Sequence, residues 1–195
     1  MKFRDNLNIL SEKDAKNQIT NVVFTIVLLF LCIALLWTKY VWLLCVEVDG
    51  SSMNDTLQTG DLLLADRVGK ANRGDVIVFE HEGKMYIKRL IALGGDTIKV
   101  KNNRVYLKKK DESEFSLLDE DYAKGLTRWN ALNNAAYREE YTVSQGCFFA
   151  LGDNRGNSHD CRDFGEVSFD CYVGRVPQRI IDIKDSYWNR FFKYL

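Results

Sequence analysis

Proline is almost missing from this chain: Pro177 is the single one among 195 residues. No proline-rich linker therefore divides the chain, and one soluble domain is the default reading. Histidine is nearly as scarce, with only His81 and His159, so the commonest general base has few places to act from. Net charge is absent too, since 27 basic residues balance 27 acidic ones, and nothing in the totals suggests a nucleic-acid partner or a strongly anionic surface. The five cysteines, Cys32, Cys45, Cys147, Cys161 and Cys171, are odd in number, which argues against a full disulfide framework. None of their spacings resembles a zinc site, so neither metal nor cofactor is expected.

What is present begins with an apolar run. Residues 1–20 are polar, with Lys2, Arg4, Lys13 and Lys16 set against Asp5, Glu12 and Asp14, and read as a short tail. Val22 to Leu36 then carries no charge, and apolar character continues past Lys39 to Val46. A stretch of about 20 to 25 such residues spans a bilayer core as a helix, so residues 21–45 are expected to be a transmembrane helix. Trp37, Tyr40 and Trp42 are placed to sit at its far interface. The run and its polar preamble are long for a cleaved signal peptide, and no small-x-small cleavage pattern follows. The basic residues ahead of it place the N-terminus in the cytoplasm of a cell membrane and residues 46–195 outside.

Those residues are numerous enough for a real core, and an aromatic content of 12% with many valines and isoleucines leans toward strands. Apolar runs at Leu62–Val68, Val76–Glu80 and Met85–Leu93 are separated by turn residues at Asn72-Arg73-Gly74-Asp75 and His81-Glu82-Gly83-Lys84. Thr97–Lys101 and Arg104–Lys108 flank an Asn102-Asn103 turn, and strand character returns at Cys147–Leu151 and Tyr172–Ile183. The spacing predicts a mainly β domain, an antiparallel sandwich or distorted barrel. Residues 108–145 read as a charged, solvated excursion with a short helix near Trp129–Tyr141 and no assigned chemistry.

The stretch Val48-Asp49-Gly50-Ser51-Ser52-Met53-Asn54-Asp55-Thr56-Leu57 follows the apolar run directly. Small hydroxyl residues stand there where a membrane-exit linker ordinarily carries charge, and Ser52 is the candidate nucleophile. A serine hydroxyl needs a base within reach. Lys88, in Tyr86-Ile87-Lys88-Arg89-Leu90-Ile91, is the lysine most embedded in apolar residues, and burial favours the neutral amine. Strand alternation turns Arg89 to the opposite face from Lys88.

Four groups of residues now occur in order. They are Gly50-x-Ser52-Met53-x-x-Thr56-Leu57, Arg73-Gly74-Asp75-Val76, Lys88-Arg89-x-Ile91-x-x-x-Gly95-Asp96, and Gly152-Asp153-Asn154-Arg155-x-x-Ser158-x-Asp160-x-Arg162-x-Phe164-Gly165. With the single anchor upstream, they resemble the motif boxes of bacterial type I signal peptidases. The resemblance implies an outward-facing Ser/Lys protease that removes signal peptides from exported preproteins after Ala-x-Ala type sites. Membrane lipid and the secretion translocon are its expected surroundings, and the protein is expected to be a monomer.

Carried over, Ser52 attacks the scissile carbonyl and neutral Lys88 takes its proton. The backbone N–H of Ser52 serves the oxyanion, with Gly50 allowing close approach, and Ser158 orients Lys88. Asp153, Arg155, Asp160 and Arg162 are ion-paired supports, Asp153 being paired with Arg89, and His159 is an exposed loop residue. A peptide adds to the edges Val46–Asp49 and Met85–Ile87, with Val48, Met53, Leu57 and Ile87 narrowing the pockets for small residues. Three positions depart from the family pattern: Asp55 and Gly94 replace usual prolines, and Cys161 replaces a usual serine. Lost restraint near both site residues and a negative charge near Ser52 are the expected consequences, and that charge would favour the ammonium if it approached Lys88. A silent family member acting as an assembly factor for surface proteins, and a self-cleaving Ser/Lys protein of the related repressor fold, are the alternatives.

Overall fold

The computed structural model describes residues 2–37, with side chains from residue 16, and residues 42–128 and 140–177. The chain divides into two units, Met1–Trp42 and Leu43–Leu195. In the first, helix α1 runs from Lys2 to Trp37. The polar stretch expected as a separate tail is thus part of the same helix as the apolar run. No proline or glycine interrupts residues 2–37, so nothing stops the helix from propagating through both. Its segment Lys16–Trp37 contains an 18-residue window with a mean hydropathy of 2.8 and is long and apolar enough to cross a membrane. Apolar side chains from Ile19 to Trp37 are exposed, and a helix apolar on all sides is suited to lipid.

The second unit opens with strand β1, Leu43–Glu47, so Leu43, Leu44 and Cys45 do not continue the expected span. They pair instead with Asp66, Ala65 and Leu64 of β2, Leu62–Asp66, and this ladder satisfies their backbone groups. The remaining strands are β3 (Val76–His81), β4 (Lys84–Leu93), β5 (Thr97–Lys101), β6 (Arg104–Lys108), β7 (Ser116–Leu117), β8 (Glu140–Thr142), β9 (Cys147–Leu151), β10 (Val167–Ser168) and β11 (Tyr172–Val176). A four-residue helix α2, Cys161–Phe164, follows β9. The strands form a seven-stranded sheet in the order β1-β2-β11-β3-β4-β9-β10 and a four-stranded sheet in the order β7-β6-β5-β8. The mainly β antiparallel architecture is as expected, as two open sheets rather than a closed barrel.

Turn chemistry sets the hairpins. Glu82 and Gly83 adopt positive φ between β3 and β4, and Asn102 and Asn103 do the same between β5 and β6. Strand alternation then sorts the core. On β3, Ile77 and Phe79 enter a cluster with Leu90, Phe148, Phe149 and Leu151, while Val76 and Val78 enter a second cluster with Val48, Met53, Leu57 and Leu63. The second cluster lies beneath the Ser52 stretch and fixes it.

Within the excursion, Glu140–Thr142 is strand β8 against β5, not the end of a helix. Cross-strand contacts explain this: Thr97 and Thr142 share a hydroxyl bond at 2.9 Å, and Lys99 meets Glu140 at 3.0 Å. The rest of the expected helix near residues 129–139, and the chain beyond Pro177, lie outside the described residues.

Candidate active site

Ser52 sits on a tight turn between β1 and β2. Gly50 has φ +95 with open space where a Cβ would stand, so a glycine is required by backbone conformation rather than by room. Asn54 N donates to Ser51 O at 3.1 Å and Leu57 N to Met53 O at 2.9 Å. This helical spacing drives Met53 and Leu57, both fully buried, into the core together. The turn is thereby pinned on its apolar side and leaves Ser52 facing β4. The Ser52 N–H makes no hydrogen bond among the described residues, and it is left available to an oxyanion.

Lys88 lies 2.5 Å from it, Nζ to Oγ, and is 3% exposed. Burial lowers its pKa from 10.5 to about 8, against the opposing pull of Asp160. That pull is limited because Arg162 neutralises Asp160: Nε reaches Oδ1 and Nη2 reaches Oδ2, each at 2.8 Å. Arg162 itself acts on Lys88 in the lowering direction. The ion pair therefore shows Lys88 little net charge, and desolvation decides the outcome.

Ser158 is held differently from the expectation. Its Oγ donates to Asp160 Oδ2 at 2.7 Å, and the bond from Lys88 goes to Ser52. The carboxylate is the stronger acceptor, so the hydroxyl turns to it. Gly152 N also donates to Asp160, at 2.9 Å. A Cβ on Gly152 would stand 2.1 Å from Ser158 Oγ and 2.6 Å from the Ser52 carbonyl oxygen, so the two loops meet only because this residue has no side chain.

Arg89, on the other face of β4, makes a two-pronged pair with Asp153 (2.9 and 2.6 Å) and donates to Gly74 O at 2.7 Å. Thr56 Oγ1 donates to the same carboxylate at 2.6 Å, and Asn154 N donates to Ser52 O at 3.0 Å. Asp153 thus joins the strand carrying Lys88 to the turn carrying Ser52.

Sequence reasoning missed one part of this assembly. Residues 120–127, assigned to a solvated excursion, lie against the support loop. Lys124 N donates to Asp153 O at 2.7 Å, and Lys124 O accepts from Arg155 N at 2.6 Å. Glu120 pairs with Arg155, and the Tyr122 ring lies 3.9 Å from the Arg89 guanidinium. High charge resembles solvated chain, but here the charges have buried partners.

A cleft of about 430 Å³ opens beside the Ser52–Lys88 pair, lined from Val46 to Met53, from Met85 to Lys88, and by Asn157 and His159. It brings Val48, Met53 and Ile87 together as expected. Leu57 does not line it: the helical turn points this side chain into the second core cluster. Ser51, Asn157 and His159 were not assigned to it from sequence. His159 is exposed and lies 3.3 Å from Asp163.

Among known proteins, residues 19–181 match the family described as signal peptidase, peptidase S26. The chain belongs to that family. It is similar to the signal peptidase I of Bacillus caldolyticus, at 39% identity over 140 residues, covering 68% of this chain and 76% of that one. It is also similar to the signal peptidase IB of Staphylococcus aureus strain MRSA252, at 29% identity over 189 residues, covering 91% and 95%. A solved structure of a signal peptidase I from Enterococcus faecalis V583 matches with a TM-score of 0.45 at 28% identity, over 56% of this chain and 99% of its own.

As a signal peptidase of this hydrolase family, the chain carries its three departures with local reasons. Asp55 pairs with Lys124 at the surface and is not among the leading charges acting on Lys88. Gly94 is packed against the backbone of Ser144 and Gln145, where a Cβ would come within 2.8 Å of a carbonyl oxygen, so a larger residue does not fit. Cys161 is fully buried, its Sγ accepts from Ala150 N at 3.2 Å, and burial pushes its thiol pKa up, which makes it a packing residue and a poor nucleophile.

Proposed function

We propose that this chain is a membrane-anchored serine endopeptidase that removes signal peptides from exported preproteins, with Ser52 as nucleophile and Lys88 as general base. The observation that carries the reading is the 2.5 Å approach of a buried lysine, its pKa lowered to about 8, to the hydroxyl of Ser52. At neutral pH a useful fraction of Lys88 is the free amine, which accepts the Ser52 proton as Oγ bonds to the scissile carbonyl carbon. The resulting oxyanion takes the Ser52 N–H. The C–N bond then breaks, the Lys88 ammonium returns its proton to the leaving amine, and Ser52 is left acylated by the signal peptide. Water attacks this ester and Lys88 takes its proton, then passes it to Ser52 Oγ as the acyl C–O bond breaks, which frees the signal peptide with a carboxyl end and restores the serine hydroxyl.

Strand geometry supports recognition of an extended peptide. Among the described residues β1 is an edge of its sheet, and β9 pairs with β4 only from Arg89 onward, so Lys84–Lys88 present a second free edge. Both edges line the cleft, and main-chain pairing there would fix the substrate. Val48, Met53 and Ile87 narrow the cleft wall, which favours alanine-sized residues before the cut. The helix Lys16–Trp37 supports anchoring in the cell membrane, and the basic residues of its N-terminal part favour a cytoplasmic N-terminus with the β domain outside.

The test is cleavage of a precursor with an Ala-x-Ala site by the full chain in lipid, with the new N-terminus sequenced. The intact protein cuts after the second alanine, and Ser52→Ala and Lys88→Ala do not. Ile87→Ala additionally admits larger residues at the cut. Activity retained in Ser52→Ala would end the assignment.

A further inference from the structure

We propose that Glu120 and Tyr122 are positioning residues for the Ser52–Lys88 pair, and that residues 120–127 form a clamp setting the rate of the chemical step. This rests on the peptidase reading above.

The argument starts from what holds the support loop. Asn154 N–H grips the Ser52 carbonyl, and Asn154 Nδ2 donates to Ser51 O at 3.1 Å, so the place of the nucleophile follows the place of residues 153–155. Those residues belong to no sheet. Beyond the Ser52 contact their backbone is held by Lys124, which takes Asp153 O and Arg155 N and forms an isolated parallel bridge with Asn154, and by the Arg162 side chain, which donates to Arg155 O at 2.9 Å. A single bridge of this kind is easily opened unless its flanks are tied.

Both flanks are tied by side chains of the same short segment. Arg155, whose side chain is fully buried, directs Nη1 and Nη2 to the Glu120 carboxylate, Nη1 also to Thr127 Oγ1 at 3.1 Å, and Nε to Gly152 O at 2.9 Å. On the other side Tyr122 covers Arg89 at 3.9 Å, and Arg89 holds Asp153. Burial raises the Tyr122 phenol pKa, so its ring stays neutral over the guanidinium. Ala123 N donates to Glu120 O at 2.9 Å, which closes the segment into a turn presenting both side chains to the loop.

Neither Glu120 nor Tyr122 lines the substrate cleft, and neither is among the leading charges acting on Lys88. Losing Glu120 leaves a buried guanidinium without its carboxylate, and its relaxation pulls on Gly152 O and Arg155 N, hence on the Asn154 grip. Displacing a reacting group by ~1 Å costs on the order of 100-fold in rate. The clamp therefore acts on kcat, leaving KM and the pH midpoint near their original values.

The experiment measures kcat, KM and the pH profile of the full chain in detergent micelles on an Ala-x-Ala precursor. It compares Glu120→Ala, Glu120→Gln, Tyr122→Leu and Tyr122→Phe with the control Glu112→Gln, whose charge loss falls in the same excursion against Lys109 at the surface. Expected are losses of about 10- to 100-fold in kcat for Glu120→Ala and Tyr122→Leu. Their KM stays within about threefold and the pH midpoint is unmoved, whereas the control matches the parent, Tyr122→Phe, which keeps the ring over Arg89 but loses the 3.4 Å bond to Glu120, retains most of the rate, and Glu120→Gln recovers part of it.

A parent kcat in folded Glu120→Ala and Tyr122→Leu, a loss carried by KM, or a shifted pH midpoint overturns the clamp. Should Glu120→Ala not fold, Tyr122→Leu decides alone. A parent that fails to cut, or a Ser52→Ala variant that still cuts, refutes the peptidase reading instead, so the two failures are distinguishable.

Discussion

Replacing Lys88 with methionine should abolish cleavage and make the protein more stable. Lys88 is 3% exposed, and burial depresses its pKa from 10.5 to about 8. Below pH 8 the folded protein must carry a buried ammonium, while the unfolded chain carries a hydrated one. At about 1.36 kcal/mol for each pKa unit between the two states, that cost is on the order of 3 kcal/mol. Methionine has nearly the same length without the charge. Losing the contact with Ser52 offsets about 1 kcal/mol, so the net gain at pH 7 is about 2 kcal/mol.

The gain depends on pH in a defined direction. Because the folded pKa is the lower one, the unfolded chain binds more protons between pH 8 and 10.5, and the stability of the parent rises across that window. The advantage of Lys88→Met is therefore constant below pH 8 and shrinks as pH approaches 10.5. Urea unfolding of the full chain in micelles, followed by circular dichroism at pH 6, 8 and 10, reads both effects. A methionine variant less stable at every pH, or a gap that does not change with pH, would refute the account of Lys88 as a lysine held against its solvation.

Two further outcomes follow from the same geometry. Arg162→Leu leaves Asp160 uncompensated beside Lys88, which favours the ammonium, so the acid limb of kcat/KM moves above about pH 8. Activity at pH 7 then falls roughly tenfold for every pH unit that the limb moves and returns in alkaline buffer, as a pH–rate profile will show. Gly152→Ala drives a methyl group into Ser158 and the Ser52 carbonyl. It should cost about 1 to 3 kcal/mol in unfolding experiments and most of the activity, whereas alanine at the exposed Gly156 leaves activity near the parent level.

The hairpins were legible in the sequence because their turns announce themselves. Asn102-Asn103 and Glu82-Gly83 suit positive φ, and β-branched runs flank both. Ser52 and Lys88 were legible as a motif and as a lysine in apolar company, and the structure brings them together. The clamp was not legible, because Glu120, Tyr122 and Lys124 stand among charges that composition assigns to solvent, and their partners Arg89, Asp153 and Arg155 are distant in sequence. Leu57 was misassigned for a local reason. It lies one helical turn beyond Met53 on the same apolar side, where it is fully buried and only Met53 reaches the cleft wall. Similarly, hydropathy carried the apolar span to residue 45, since it does not register that Leu43–Glu47 find a ladder partner in β2.

Among the described residues, the side of strand β4 away from β3 is paired along only half its length: from Arg89 it is bonded to β9, and from Lys84 to Lys88 it is open. Lys88 thus stands at the boundary between a built-in neighbour and a vacant one. A peptide laid in the vacant half would be measured against the β9 end, as against the stop of a ruler. Slipping it by one residue would turn each of its side chains to the opposite face and carry a different carbonyl to Ser52. On the proposed reading, the position of the cut would be a length set by backbone register, and the pockets would only veto the side chains that arrive there.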